Sequence, residues 1–377
     1  MKKKVSIIIT LLVAFTIGGC NYTHQKNEQK SAKKKEVIKI GAILPLTGAG
    51  ASFANYIKDG LSFSAEHFNK NNRFFELKIF YEDSKTSVKE GVIAYKKLIS
   101  RNRVDVIVVA LSSVAEAIKQ NAVNDSVPQI GIAVATPNYT EFSDFIFRIY
   151  PNANTMAGIM ADYNLNVLNK TRHAVVYIND DFGRASLKAY EKNVNKNNAR
   201  VVSSESYEIL QKDFRNLVLK TLARNSECIY LNGYGMGYST FIKQLFGYNN
   251  KVILKGDMTM GLPITLKQIK EINDTIYFVD GKMEPKFITD FNNEFHYNPT
   301  SYSGYAYDFI SIIGKVVQNL NSTNGINLSI FIDKSLYSIK NFNGVMGSIN
   351  IEKSGDCNLQ FQIKKISYGK VVENRDN

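Results

Sequence analysis

Residues 37–61 read VIKIGAILPLTGAGASFANYIKDGL. Val37 to Leu44 is apolar almost throughout, with no alternation of polar and apolar positions. Such a run suits a strand covered on both faces, as in a parallel sheet. Pro45 to Ser52 is a turn of small residues, and a helical pattern starts at Phe53. Strand, turn and helix then recur. Strand-like runs IKIGAIL, ELKIFYE, VDVIVVA and PQIGIAV alternate with helical patterns at Phe53–Asn69, Val88–Ser100 and Val114–Asn124. A second series follows Pro151. Its strands are HAVVYIN, VVSSESYEI, CIYLN, KVILK and TIYFV, and its helices are Arg184–Asn195, Phe214–Arg224 and Tyr238–Phe246. The pattern predicts an α/β fold of two doubly wound parallel-sheet lobes. Beyond Tyr277, helical patterns at Phe287–Phe295, Tyr305–Leu320 and Asn327–Lys340 precede a tail of short strands. That order predicts a chain that crosses between the lobes more than once.

The N-terminus is expected to be removed or anchored. Lys2, Lys3 and Lys4 precede an apolar run from Val5 to Ile17, too short to span a bilayer comfortably. Ile17-Gly18-Gly19-Cys20 resembles a lipobox, so residues 1–19 read as a signal peptide and Cys20 as a lipidated cysteine. Residues 20–36 read as the lipid-bearing cysteine and a flexible, Lys-rich tether. The mature chain is then expected outside the cytoplasm, in the cell envelope, held to the membrane by its lipid and not spanning it. The formal charge of +13 falls to +6 once the three n-region lysines, and the tether's five lysines and one glutamate, are set aside. Export, and lysines spread without an arginine stripe, argue against a nucleic-acid partner.

Several chemistries fit poorly. The Pro45–Ser52 turn lacks the GxxxxGK[ST] of a phosphate cradle and reads either as a cleft-lip loop in which Ser52 and Phe53 face a ligand or the opposite lobe, or as a plain βα turn. Gly233-Tyr234-Gly235-Met236-Gly237 lies between strand and helix, with Asp257 after the next strand, but the spacing is GxGxG where a dinucleotide site uses GxGxxG. There is no GxSxG elbow, and His67, His173 and His296 have no evident Ser or Cys partner, so no enzyme is expected. Neither a CxxC nor clustered histidines suggest a metal, and no cofactor is expected. Cys228 and Cys357 could pair in an exported protein, and the sequence leaves that open. Ser112 and Ser113 open a helix, where two hydroxyls and free N–H groups suit a carboxylate or simply cap the helix.

Five stretches carry a family likeness: IKIGAILPLTGAGASFANYIKDGLSFSAEHFN, FYEDSKTSVKEGVIAYKKLI, VATPNYTEFSDFIFRIYPN, VVYINDDFGRASLKAY and FNGVMGSINIEKSGDCNLQFQIKK. In order and spacing the chain resembles the type I solute-binding proteins of ABC importers, in particular the branched-chain amino-acid (Leu/Ile/Val) group. The resemblance implies two lobes joined by three hinge crossovers, near Ile149–Asn152, Val279–Met283 and Phe342–Val345. Residues 37–150 with 282–343 would form the first lobe, and residues 151–281 with 344–377 the second. A ligand would be trapped between them. The resemblance further implies that Ser112, Ser113, Ala135 and Thr136 grip a carboxylate. Phe182 would stack over the ligand, Tyr234 would wall the cleft, and Asp257 would meet an ammonium. Phe182 stands where the family commonly has Tyr, which weakens the case for a standard amino acid. The implied partners of this monomer are an amino-acid-like small molecule and an ABC permease. A sensory or adaptor lipoprotein on the same fold is the alternative.

Overall fold

The computed structural model describes residues 35–374, apart from 196–198, 250, 272–274 and 321. The expected signal peptide, Cys20 and the tether as far as Lys34 lie outside the described residues. The first series builds β1 (Glu36–Leu44), α1 (Ala51–Asn71), β2 (Phe75–Asp83), α2 (Val88–Lys97), β3 (Val106–Val109), α3 (Ser112–Asn124), β4 (Gln129–Gly131) and β5 (Ile146–Arg148). The five strands are parallel, in the order β2-β1-β3-β4-β5. Ile38, Ile40, Ile43 and Leu44 of β1 and all of β3 have no exposed surface, as a strand covered on both faces requires. Each such side chain contributes about 1.5–3 kcal/mol by burial.

The second series supplies α4 (Ala153–Asn166), β6 (Arg172–Ile178), α5 (Asp181–Asn195), β7 (Arg200–Tyr207), α6 (Arg215–Leu222), β8 (Cys228–Asn232), α7 (Gly235–Tyr248), β9 (Ile253–Gly256), α8 (Pro263–Gln268) and β10 (Ile276–Gly281). The chain then returns to the first lobe. There α9 (Pro285–Phe295), α10 (Ser301–Val317) and α11 (Leu328–Leu336) precede a small antiparallel sheet of β11 (Phe342–Gly344), β12 (Gly347–Ile351) and β13 (Cys357–Asn358). Helix α10 packs directly on α1: a Cβ at Gly60 would stand 2.2 Å from the Ser303 carbonyl oxygen, so only glycine permits this approach. Finally β14 (Phe361–Ser367) and β15 (Lys370–Glu373) complete a seven-stranded sheet of order β15-β14-β10-β9-β8-β6-β7. Its last two strands are antiparallel to their neighbours, an edge added to an otherwise parallel sheet.

One boundary differs from the reading of the sequence. Residues 344–358 were expected with the second lobe, yet they stay with the first. Asp356 takes two hydrogen bonds from Arg148 at the end of β5, and Asp308 of α10 accepts from Val345 and Met346 N–H. These polar ties hold the hairpin, and the chain enters the second sheet only at Phe361. Cys228 and Cys357 are both free thiols. No described helix is long and apolar enough to cross a membrane.

Candidate functional site

Where the two sheets face each other, Phe53, Leu111, Ser112, Ala133, Ala135, Tyr150, Phe182, Tyr234, Thr259 and Tyr302 line one cleft. It lies at the C-terminal ends of the parallel strands, where open α/β sheets place their ligand sites. In the first lobe, Phe53 begins α1 and stacks on Tyr302 of α10, with centroids 5.3 Å apart and planes 23° apart. Tyr302 stacks in turn on Tyr150, at 5.9 Å and 27°. Tyr150 stands in the strap that leads from β5 into the second lobe. From the other side Tyr234 meets Phe53 edge-on at 5.7 Å. Offset stacks and edge contacts of this kind are favourable ring geometries. The lobes lie so close that about 20 Å³ of room remains in the cleft, roughly that of one water.

The polar groups sit at two turns. After β3, Leu111 is held at φ 84°, and after β4, Ala133 at φ 57°. Left-handed backbone at non-glycine residues costs on the order of 1 kcal/mol or more and concentrates at functional sites. These two strained turns present Ser112 and Ala135, whose N–H donates to Ser112 Oγ at 3.0 Å. Ser112 opens the 13-residue α3, whose first N–H groups have no partner within the helix. On the second lobe, Tyr234 Oη donates to Asp180 Oδ2 at 2.7 Å, while Gly183 N–H donates to Oδ1 at 2.9 Å. Burial raises the Asp180 pKa above the usual carboxylate range.

Five of the expected residues thus share the cleft: Phe53, Ser112, Ala135, Phe182 and Tyr234. Four do not line it. The Ser52 hydroxyl turns back to the Ala49 carbonyl at 3.4 Å. Ser113 lies next along α3, away from the lining. Thr136 donates to Glu116 Oε1 at 2.7 Å and lines a separate groove. Asp257 is 1 % exposed, beneath the cleft. It caps the short turn Met258–Gly261, accepting from Thr259 N–H at 2.8 Å and from Asn232 Nδ2 at 3.0 Å. Burial holds its pKa above the ordinary carboxylate value. Thr259, not Asp257, reaches the cleft, so no carboxylate side chain is among the lining residues.

Sequence reasoning passed over Leu111, Ala133, Tyr150 and Thr259 as site residues. For Tyr150 a signal existed, since an aromatic immediately before Pro151 marks the strap between the lobes. His173 and His67 are structural, as a lone histidine usually is. His173 Nδ1 meets Tyr190 Oη at 2.8 Å and Nε2 meets the Lys170 carbonyl at 2.9 Å, and burial lowers its pKa to about 4. His67 Nδ1 meets Tyr307 Oη at 3.0 Å.

Two hinged parallel-sheet lobes closing on an aromatic-walled cleft at their strand ends define a solute-binding protein of the two-lobed, type I kind. The comparisons agree. A family model described as periplasmic binding protein matches residues 37–360, and the chain belongs to that family. A Leu/Ile/Val-binding protein homolog from Brucella melitensis is 24 % identical over 362 residues, covering 89 % of this chain and 93 % of its own. Solved structures share the fold. A leucine-binding protein from Thermotoga maritima has a TM-score of 0.82 at 19 % identity, covering 89 % of this chain and 97 % of its own. A solute-binding protein from Rhodopseudomonas palustris in complex with benzoate has a TM-score of 0.80 at 17 % identity, covering 89 % and 95 %. The family binds solutes and does not transform them, in keeping with the expectation of a binder and not an enzyme.

Proposed function

We propose that this protein captures a small carboxylic acid with an apolar body and delivers it to an ABC permease, working outside the cytoplasm as a lipoprotein anchored through Cys20. The observation that carries this reading is the cleft itself. The first lobe brings a hydroxyl and free amides at the start of α3, together with the Phe53–Tyr302–Tyr150 stack. The second brings Phe182, Tyr234 and Thr259. A carboxylate fits the amide-rich pole of the first lobe, because a helix N-terminus favours an anion. An apolar body would lie between these aromatic walls with the lobes held further apart than here, since the cleft as it stands leaves about 20 Å³. Contacts to both lobes exist only when they are shut, so the ligand shifts the hinge equilibrium toward closure. Branched-chain amino acids and aromatic acids are the two ligand kinds that the named relatives bring forward.

Thermal shift against leucine, isoleucine, valine and benzoate, followed by calorimetry, tests the reading. A ligand present at about a hundred times its Kd stabilises the folded state by about 2.7 kcal/mol. The expected outcome is a rise of several degrees in Tm with at least one of these acids. If neither acid class shifts Tm and calorimetry records no heat, the reading fails. The anchor has its own test: Cys20→Ser should move the protein from the membrane fraction to the soluble one, and continued sedimentation with membranes would refute a lipid tether.

A further inference from the structure

The seam between the lobes continues beyond the cleft. Helices α3 and α5 both begin there, with Ser112 and Phe182 in their first turns. Further along, their facing sides bound a second, separate groove of about 460 Å³. Lys119 and Asn138 line it from the first lobe; Lys188, Lys192 and Asn154 line it from the second. Its size falls in the range of ordinary small-molecule sites.

The charges in this groove do not balance. Glu116 is its one carboxylate, and that group is already engaged: Oε1 accepts from Thr136 Oγ1 at 2.7 Å, and Oε2 pairs with Lys119 at 2.5 Å. Lys188 and Lys192 stand one turn apart on α5 and are both exposed. Neither has an ion-pair partner among the described residues. Like charges four apart on a helix repel each other, and an anion placed between them removes that cost. Asn138 and Asn154, each with an amide donor, line the same groove from opposite lobes. An anion there would meet donors from both lobes only while they are closed.

We propose that this groove is a second binding site, for a small multivalent anion such as a tricarboxylate or phosphate, and that its occupancy favours lobe closure. The two ammonium groups on α5 call for more than one negative charge, and a groove of about 460 Å³ has room for a tricarboxylate. The site is distinct from the solute cleft, since the two share no lining residue. Linkage then requires that the anion tighten cleft binding and that the cleft ligand tighten anion binding by the same factor.

Citrate and inorganic phosphate, titrated into the purified protein by calorimetry with sodium chloride holding the ionic strength constant, test the site. The expected result is saturable 1:1 binding of at least one of them. Binding should weaken tenfold or more in the Lys188→Gln/Lys192→Gln double variant, whose Tm without anion stays at the wild-type value because both side chains are exposed. Equal affinity in the double variant would overturn the site, and so would no binding of either anion to the wild type. The coupling arm rests on the solute-capture reading: saturating anion should lower the Kd of the cleft ligand severalfold. An unchanged Kd alongside normal anion binding would overturn the coupling while leaving the site in place. If no cleft ligand is found, the anion titration still decides the site by itself.

Discussion

Arg148 leaves the end of β5 with no exposed surface, and every part of its guanidinium has a partner. Nε and Nη2 donate to the two Asp356 oxygens at 2.7 and 2.5 Å, and Nη1 donates to the Thr136 carbonyl at 2.6 Å. One side chain therefore shapes the loop after β4 and ties down the hairpin turn that carries Asp356. Removing one partner of a buried pair strands the other, at a typical cost of 3–5 kcal/mol. We expect Arg148→Ala to lower unfolding stability in urea by about 3 kcal/mol, the low end of that range, because Asp356 is partly exposed; a loss below about 1 kcal/mol would mean the pair does little. Nothing in FRIYPN or KSGDC announces this bond, since a pairing across 208 residues appears only once the chain is folded. Asp257 illustrates the opposite case. An acid after a strand in a two-lobed binder points to an ammonium partner, yet this carboxylate caps the next turn from beneath the cleft. Asp257→Asn keeps the cap and removes the charge, so ligand affinity should stay within about threefold. Asp257→Ala should cost about 1 kcal/mol of stability through the lost cap. A tenfold loss of amino-acid binding in the Asn variant, measured by calorimetry, would place the charge against the ligand after all.

Among the elements, the central strands β1, β3 and β8 were legible because parallel strands buried on both faces read as unbroken apolar runs, whereas the three-residue edge strand β5 was too short to stand out. Helices with a polar stripe, such as α1 and α5, were equally plain. Helix α4 was not. Met156, Ala157, Met160, Ala161 and Tyr163 are all buried, and the helix presents no clean polar face to set a period. The β11–β13 hairpin was legible as strands but not in its allegiance, which depends on Asp308. That carboxyl accepts from Val345 N–H at 2.7 Å and Met346 N–H at 2.9 Å, with no ion-pair partner among the described residues. Burial pushes its pKa up to about 7. A folded-state pKa above the unfolded value favours the protonated form. The stability contributed by this group is therefore complete below the unfolded pKa of about 4 and is lost as pH rises through about 7. We expect this group to lower Tm between pH 5 and pH 8, and Asp308→Asn, neutral throughout, to flatten that part of the slope. Melting curves of the two proteins that run parallel across this interval would exclude Asp308 as the source.

For the molecule as a whole, the small residues of Pro45–Ser52 serve neither a phosphate nor a nucleophile. Across the seam, a Cβ at Gly235 would stand 3.1 Å from Ala49 Cβ and 3.3 Å from its carbonyl oxygen. Gly235 also holds φ at 79°, a backbone only glycine adopts cheaply. The second glycine of the Gly-x-Gly-x-Gly run therefore lets the lobes touch, and Ala49 is small for the same reason. This contact lies beside the Phe53–Tyr234 edge contact, so lip and wall close together. Sequence could supply the two small-residue turns but not their meeting, which requires both lobes in place. If closure is what holds a solute, a larger lip residue must weaken binding without touching the site. Ala49→Leu inserts a side chain into that contact from the first lobe, on a backbone free of strain. It should raise the radius of gyration measured by solution scattering in the presence of ligand. It should also raise the ligand Kd about tenfold, because affinity falls with the fraction of molecules able to close. Tm without ligand should change by little, since the substitution lies on a partly exposed loop at the margin of the core. Gly235→Ala pushes from the opposite lobe and should weaken binding in the same direction, with an added cost in Tm from its left-handed backbone. A wild-type scattering curve and a wild-type Kd in Ala49→Leu would mean that the lobes need not meet at this lip to retain their ligand.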